Sequence, residues 1–172
     1  DQRKIHVLAR EVYPKLKWEK PVALHHHLLA GLSEPPQAAD KLEKTIAAKM
    51  SKSKPWTAIF IHDTDKEIKE KLNKAWCPEK QVELNPVLEI LKYIVFREID
   101  TLIIDRPQKF GGRVEFNSYD ELESAYAKGA IHPLDLKKTT TEELSKVLKP
   151  IREHFAKKPE LLEVYKTIEI TR

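Results

Sequence analysis

Five consecutive residues, Lys49-Met50-Ser51-Lys52-Ser53, carry the densest chemistry in the chain, and Lys54-Pro55 follow directly. Lysine offers a compact point charge to an oxyanion, and serine hydroxyls with backbone N–H groups add hydrogen bonds. A lysine-bearing loop of this kind suits phosphate chemistry, although a bare Lys/Ser cluster also reads as a solvated loop. Between Lys41 and Lys54 there are five lysines and one acid, an excess that fits a polyanion. His25, His26 and His27 form a second cluster. Strand residues alternate faces, so at most His25 and His27 could share a ligand. No cysteine or acidic partner lies close in sequence, and no metal centre is expected. Gln2 and His6 stand one helical turn apart and read as helix-surface residues on pattern alone.

The elements that must position these residues fit within 172 residues, one ordinary domain or two small ones. At 41% hydrophobic and 34% charged, the composition predicts a soluble, helix-rich globular chain. The net charge of +4 is unevenly placed: from Asp100 onward 13 basic residues meet 13 acidic ones. Cys77 is the single cysteine, which excludes a disulfide framework and favours a reducing, cytoplasmic setting. No apolar run approaches membrane-spanning length, so no membrane association is expected. The sequence starts at Asp1 inside a helical pattern, as a fragment or half of a longer enzyme would.

Ile5, Leu8, Ala9 and Val12 make one apolar helical face, ended by Pro14. Pro21 to Leu32 reads as a short buried strand with a turn at Gly31, and Asp40 to Lys49 as a helix delivering the lysine loop. Trp56 to Ile61, apolar with aromatic and β-branched residues, reads as another strand. Thr64 and Glu67 form a capping box opening a helix to about Trp76. Asn85-Pro86 opens an almost wholly apolar helix to Phe96. Leu102–Ile104 and Arg113–Phe116 flank a Gly-Gly turn and predict a β-hairpin. Ser118 and Glu121 form a second capping box, with Gly129 closing that helix. His132-Pro133 opens a long helix that Pro150 should kink, and the tail from Lys157 reads as helical.

The pentapeptide matches the KMSKS signature of class I aminoacyl-tRNA synthetases. Three further segments, DQRKIHVLARE, KAWCPEK with NPVLEILKYIVF, and RPQKFGG with NSYDELESAY, HPLDLKK and PIR, resemble archaeal and eukaryal tyrosyl-tRNA synthetases in the right order. The resemblance runs from Asp1 to about Phe155. It implies an α/β plus mostly α fold. Residues 1–63 would end a Rossmann-like catalytic domain, and 64–172 would form a helical anticodon-binding domain with a small hairpin.

By the same resemblance, Lys49, Met50, Ser51, Lys52 and Ser53 bind ATP, with Lys49 and Lys52 catalytic, and Gln2 touches tyrosine. Phe110 and His132 would stack on the first anticodon base. Asp135 would hydrogen-bond its edge beside Pro133, and Cys77 would approach the middle base. Stacking plus one polar edge contact is how single-stranded RNA bases are usually read. On pattern alone Phe110 is also a turn hydrophobe, His132 a helix-start residue and Asp135 a first-turn acid favoured by the helix dipole. The implied reaction joins tyrosine to ATP with Mg²⁺ and passes it to tRNA(Tyr), and the full-length family is dimeric.

The sequence also departs from that pattern. No His-x-Gly-His occurs, the upstream Tyr, Gln and Asp around the substrate ring are absent, and four glycines leave no phosphate-cradling Gly-rich turn. Half of the nucleotide-binding fold is therefore expected outside this sequence. Two other readings stay open: a non-catalytic tRNA-binding module, and a tryptophanyl-tRNA synthetase.

Overall fold

The computed structural model describes residues 2–36 and 47–167. Residues 40–46 of the helix expected over Asp40–Lys49 lie outside them. Helix α1 spans Arg3–Val12 and tightens into a 3-10 turn, Tyr13–Leu16. Pro14 lacks an amide to continue the α pattern. Lys17, at φ 59°, then takes the left-handed conformation that ends the turn. The apolar face of α1 is not inward: Ile5 is 58% and Leu8 59% exposed.

The strand expected over Pro21–Leu32 does not form. Val22 and Leu24 are 96% and 92% exposed, and only Ala30 makes an antiparallel bridge, with Lys49. An extended segment becomes a strand only where a neighbour accepts its backbone groups, and among the described residues only 29–32 find one.

Trp56–Ile61 is likewise not a strand. Pro55 starts a 3-10 turn, Pro55–Thr57, and the Asp63 carboxylate accepts from Phe60 N at 2.8 Å, curling the chain. Ala58 is extended and buried, yet only one sheet-like bond, from Leu32 N to Thr57 O at 2.9 Å, forms here.

The remainder is helical around one hairpin. Helix α2, Asp65–Lys74, begins with the expected capping box: Glu67 N donates to Thr64 Oγ1 at 3.2 Å, and Thr64 N to Glu67 Oε2 at 2.8 Å. Helix α3, Pro86–Tyr93, begins where Asn85 Oδ1 accepts from Val87 N and Leu88 N. Strands β1, Leu102–Ile104, and β2, Val114–Phe116, pair antiparallel in the register Leu102↔Phe116, with Leu102 and Ile104 inward. Helix α4, Tyr119–Ala127, is capped by Ser118, but the Glu121 carboxylate reaches Asn117 N rather than Ser118 N. Its end is a Schellman-type closure: Ala130 N bonds Ala125 O and Gly129 sits at φ 78°.

Helix α5, Pro133–Ala156, carries Pro150 without a break in the helix, and α6, Pro159–Thr167, follows. α5 is the spine on which α2, α3 and β1 pack. The core comprises Ile68, Leu72, Val87, Leu88, Leu91, Leu122, Leu136 and Leu144 with their neighbours. Each such side chain contributes roughly 1.5–3 kcal/mol by leaving water. No helix among the described residues is long and apolar enough to cross a membrane.

Candidate functional site

The lysine loop is held at its base and turned at its tip. Met50 N donates to Leu29 O at 2.8 Å and Gly31 N to Ala48 O at 2.6 Å, on either side of the Ala30–Lys49 bridge. A Cβ on Gly31 would stand 3.1 Å from Ala48 O, so glycine lets the two backbones close up. Met50 packs against the core. Beyond it the chain turns, with Lys54 N bonded to Ser51 O at 3.2 Å and the Ser51 and Ser53 hydroxyls 3.0 Å apart. Thr57 closes the turn through Oγ1 and N, both on Lys54 O. The segment therefore presents Lys49, Lys52 and two hydroxyls from a fixed stem.

Phe110, His132, Pro133 and Asp135 come from two elements that Arg106 joins. Phe110 ends a 3-10 turn, Gln108–Phe110, is 59% exposed, and has Lys109 Nζ over its ring at 4.9 Å. Arg106 donates through Nε to Gly112 O at 3.0 Å and through a terminal nitrogen to Ala130 O at 2.7 Å. One guanidinium thus ties the Phe110 loop to the residues just before α5. Gly111 sits at φ 97°, where a Cβ would stand 3.0 Å from the Arg106 guanidinium.

His132 is the N-cap of α5: Nδ1 accepts from Leu134 N at 3.2 Å, leaving Nε2 facing Glu79 Oε1 at 3.6 Å. Its ring orientation is thereby set by the helix start it caps. Asp135 lies in the first turn, where the helix dipole favours a carboxylate. Pro133 occupies N1, and Leu134 beside it is 65% exposed.

Cys77 does not face outward. It is 8% exposed, its thiol 3.2 Å from the Tyr126 hydroxyl, with Asn85 Nδ2 at 3.5 Å. The Tyr126 hydroxyl also donates to Pro78 O at 2.8 Å. Burial, together with the Cys77 contact, pushes the Tyr126 phenol upward. The cluster braces the turn carrying Glu79. Gln2 is exposed beside Arg3, His6 and His25, which line an open groove with Val7, Arg10 and Leu24. The His6 and His25 rings lie 5.0 Å apart. Among the described residues no group of three or more His, Cys, Asp or Glu could hold a metal ion.

Sequence reasoning missed Arg106, Glu89 and the buried pair of Asp63 with Lys71. Lys71 Nζ lies 2.5 Å from Asp63 Oδ2 and 4.7 Å from the Phe60 ring centroid. The signal for Arg106 was its place ahead of KFGG, where two glycines at positive φ turn the chain back so that Gly112 O meets the guanidinium.

A family model described as tRNA synthetases class I (W and Y) matches residues 1–149. The tyrosine–tRNA ligase of Thermococcus sibiricus is 52% identical over 187 aligned residues, covering 100% of this chain and 50% of that protein. A crystal structure of the tyrosyl-tRNA synthetase from Pyrococcus horikoshii complexed with L-tyrosine is similar, with a TM-score of 0.88 and 46% identity, over 97% of this chain and 49% of that one. A tryptophanyl-tRNA synthetase from Encephalitozoon cuniculi shares the fold at 22% identity and a TM-score of 0.56, covering 89% of this chain and 36% of that one. The chain spans about half the length of the curated relatives it matches. A stem-held KMSKS loop, a family match across most of the chain and tyrosyl enzymes at about half identity agree: the chain belongs to the class I tRNA synthetases of the tryptophan and tyrosine branch.

Proposed function

We propose that this chain is the C-terminal half of a tyrosine–tRNA ligase of the archaeal and eukaryal type. The observation that carries the reading is 52% identity to such a ligase along the whole chain. Residues 1–63 complete a Rossmann-like catalytic domain, and 64–172 form the anticodon-binding domain. In the first step a tyrosine carboxylate oxygen attacks the α-phosphorus of ATP. A P–O bond forms, the bond to the β-phosphate oxygen breaks, and pyrophosphate leaves. Charge builds on the departing phosphates, and Lys49 and Lys52 are the cations that meet it, with Met50, Ser51 and Ser53 shaping the loop around the nucleotide. Fixed charges aimed at developing charge supply most of the stabilisation in such reactions. Mg²⁺ arrives with the ATP phosphates. Gln2 contacts the tyrosine. In the second step a ribose hydroxyl at the 3′ end of tRNA(Tyr) attacks the activated carbonyl and AMP leaves.

Phe110 and His132 enclose the first anticodon base, and Asp135 accepts from its edge beside Pro133. The complete enzyme is a cytoplasmic homodimer. The test is tyrosine-dependent ATP–pyrophosphate exchange by this chain with and without the product of any coding sequence upstream of Asp1. Exchange that requires the upstream part supports the composite site. Exchange with tryptophan instead of tyrosine would assign the other branch, and tight tRNA binding without any exchange would assign a non-catalytic RNA-binding module.

A further inference from the structure

Glu89 stands in the first turn of α3, and its side chain is 16% exposed. Its Oε2 accepts from Ala30 N at 2.8 Å and lies 3.1 Å from His27 Nε2. One turn later Tyr93 stacks on the His27 ring, with centroids 4.0 Å apart and planes at 15°. α3 therefore grips residues 27–30, a stretch with no regular structure to hold it otherwise. The opposite edge of the same stretch holds the lysine loop, through the Leu29–Met50 and Gly31–Ala48 hydrogen bonds and the Ala30–Lys49 bridge. Ala30 is 5% exposed, so its amide cannot exchange Glu89 for water. A buried amide left without an acceptor costs about 1–3 kcal/mol. The carboxylate is thus the peg on which the stem of the loop hangs.

We infer that Glu89 is a positioning residue for the KMSKS loop: it fixes the backbone from which Lys49 and Lys52 address the ATP phosphates. This rests on the ATP role proposed above for that loop. Glu89 touches neither substrate nor RNA in this scheme. It acts through Ala30 and His27, and a carboxamide at the same position keeps an oxygen for Ala30 N.

Two measurements test it. In the complete protein carrying this chain, Glu89→Leu should raise KM for ATP in pyrophosphate exchange on the order of tenfold, the equivalent of one lost bond to a charged acceptor. KM for tyrosine and the Kd for tRNA should stay near wild type, and Glu89→Gln should restore most of the loss. His27→Phe, which keeps the stack on Tyr93 but loses the N–H, should give a smaller rise. In the 172-residue chain itself, amide hydrogen exchange at Ala30 and Met50 should accelerate in Glu89→Leu while the amides of α3 keep their protection. Unchanged protection at Ala30 and Met50 in Glu89→Leu, or a proportional rise in KM for both tyrosine and ATP, would overturn the inference. Lys52→Ala separates the two levels. If it leaves exchange intact the ATP role of the loop falls, whereas Met50 protection still decides whether Glu89 holds the stem.

Discussion

Arg106 offers the sharpest check on how the proposed RNA-binding end is built. Its guanidinium bonds Gly112 O at 3.0 Å and Ala130 O at 2.7 Å, so it holds the turn of Phe110 against the start of α5. Arg106→Ala removes both bonds and releases the loop. Arg106 is only partly buried, so each bond is worth about 1 kcal/mol rather than the full value for a charged donor. A loss of roughly 1–2 kcal/mol predicts tRNA(Tyr) binding weaker by about 5- to 30-fold at fixed salt. Phe110→Ala removes the proposed stacking platform itself, worth about 1–3 kcal/mol per base. If Arg106 works by ordering Phe110, the double variant loses little more than Phe110→Ala alone, because neighbours in one unit are not additive. Arg106→Lys should rescue poorly, since an ammonium cannot span two carbonyls as the planar fork does. The assay is equilibrium binding to cognate tRNA and to tRNA with an abasic first anticodon position. Additive losses in the double variant, or an equal Arg106→Ala loss on the abasic tRNA, would show that Arg106 contributes only diffuse positive charge.

Four further outcomes are expected. Lys52→Ala should lower the rate of pyrophosphate exchange by about 10²-fold, the usual cost of one transition-state donor, with KM for tyrosine unchanged. Asp135→Arg should weaken cognate tRNA more than tRNA with altered first anticodon bases, and equal losses in a binding series would remove its readout role. Lys71→Met should destabilise the chain by roughly 3–5 kcal/mol in urea unfolding, because it strands the buried Asp63 carboxylate. Hydrogen bonds from the Thr64 amide and hydroxyl hold the Glu67 carboxyl below its ordinary value of 4.5, with Lys71 adding to the effect. A depressed carboxylate stabilises the fold above its unfolded pKa and loses that contribution as pH falls through the folded value. Tm should therefore drop as pH falls below about 4.5, and Thr64→Ala, which removes the hydroxyl but keeps the amide, should flatten that part of the profile only in part and cost about 1 kcal/mol.

The caps were legible in the sequence because capping is local. Thr64 with Glu67, Asn85-Pro86, Ser118 and His132-Pro133 each open a helix where their types predict, and the Gly-Gly turn sets the hairpin between β1 and β2. Strands outside that hairpin were not legible. Trp56–Ile61 and Pro21–Leu32 carry strand-like residues, but β-structure is decided by the neighbour that pairs, and no propensity encodes one. The same holds at the site. The lysine loop, Phe110, His132 and Asp135 were readable as motif residues, whereas Arg106 and Glu89 act across 24 and 59 residues of sequence. The burial of Cys77 was not legible either, because its contact with the Tyr126 hydroxyl spans 49 residues.

The expected substrate contacts are anchored very differently. Gln2 begins α1, whose apolar face is uncovered among the described residues. The lysine loop hangs from residues 29–31, and Leu32 beside them lies in the same apolar cluster as Ile68 and Leu72. Trp76 N bonds Leu32 O at 2.7 Å, and the buried Asp63–Lys71 pair crosses the boundary expected at residue 63. The loop therefore draws its rigidity from the core of the helical part, through Leu32 from one side and Glu89 from the other. A cavity in that core, such as Leu72→Ala, costs about 2–5 kcal/mol. Part of that cost must fall on the stem of the lysine loop, because Leu32 packs in the same cluster. Core substitutions in the helical part should consequently register first in the proposed ATP step, before tRNA affinity changes, since α5 keeps its own cap at His132.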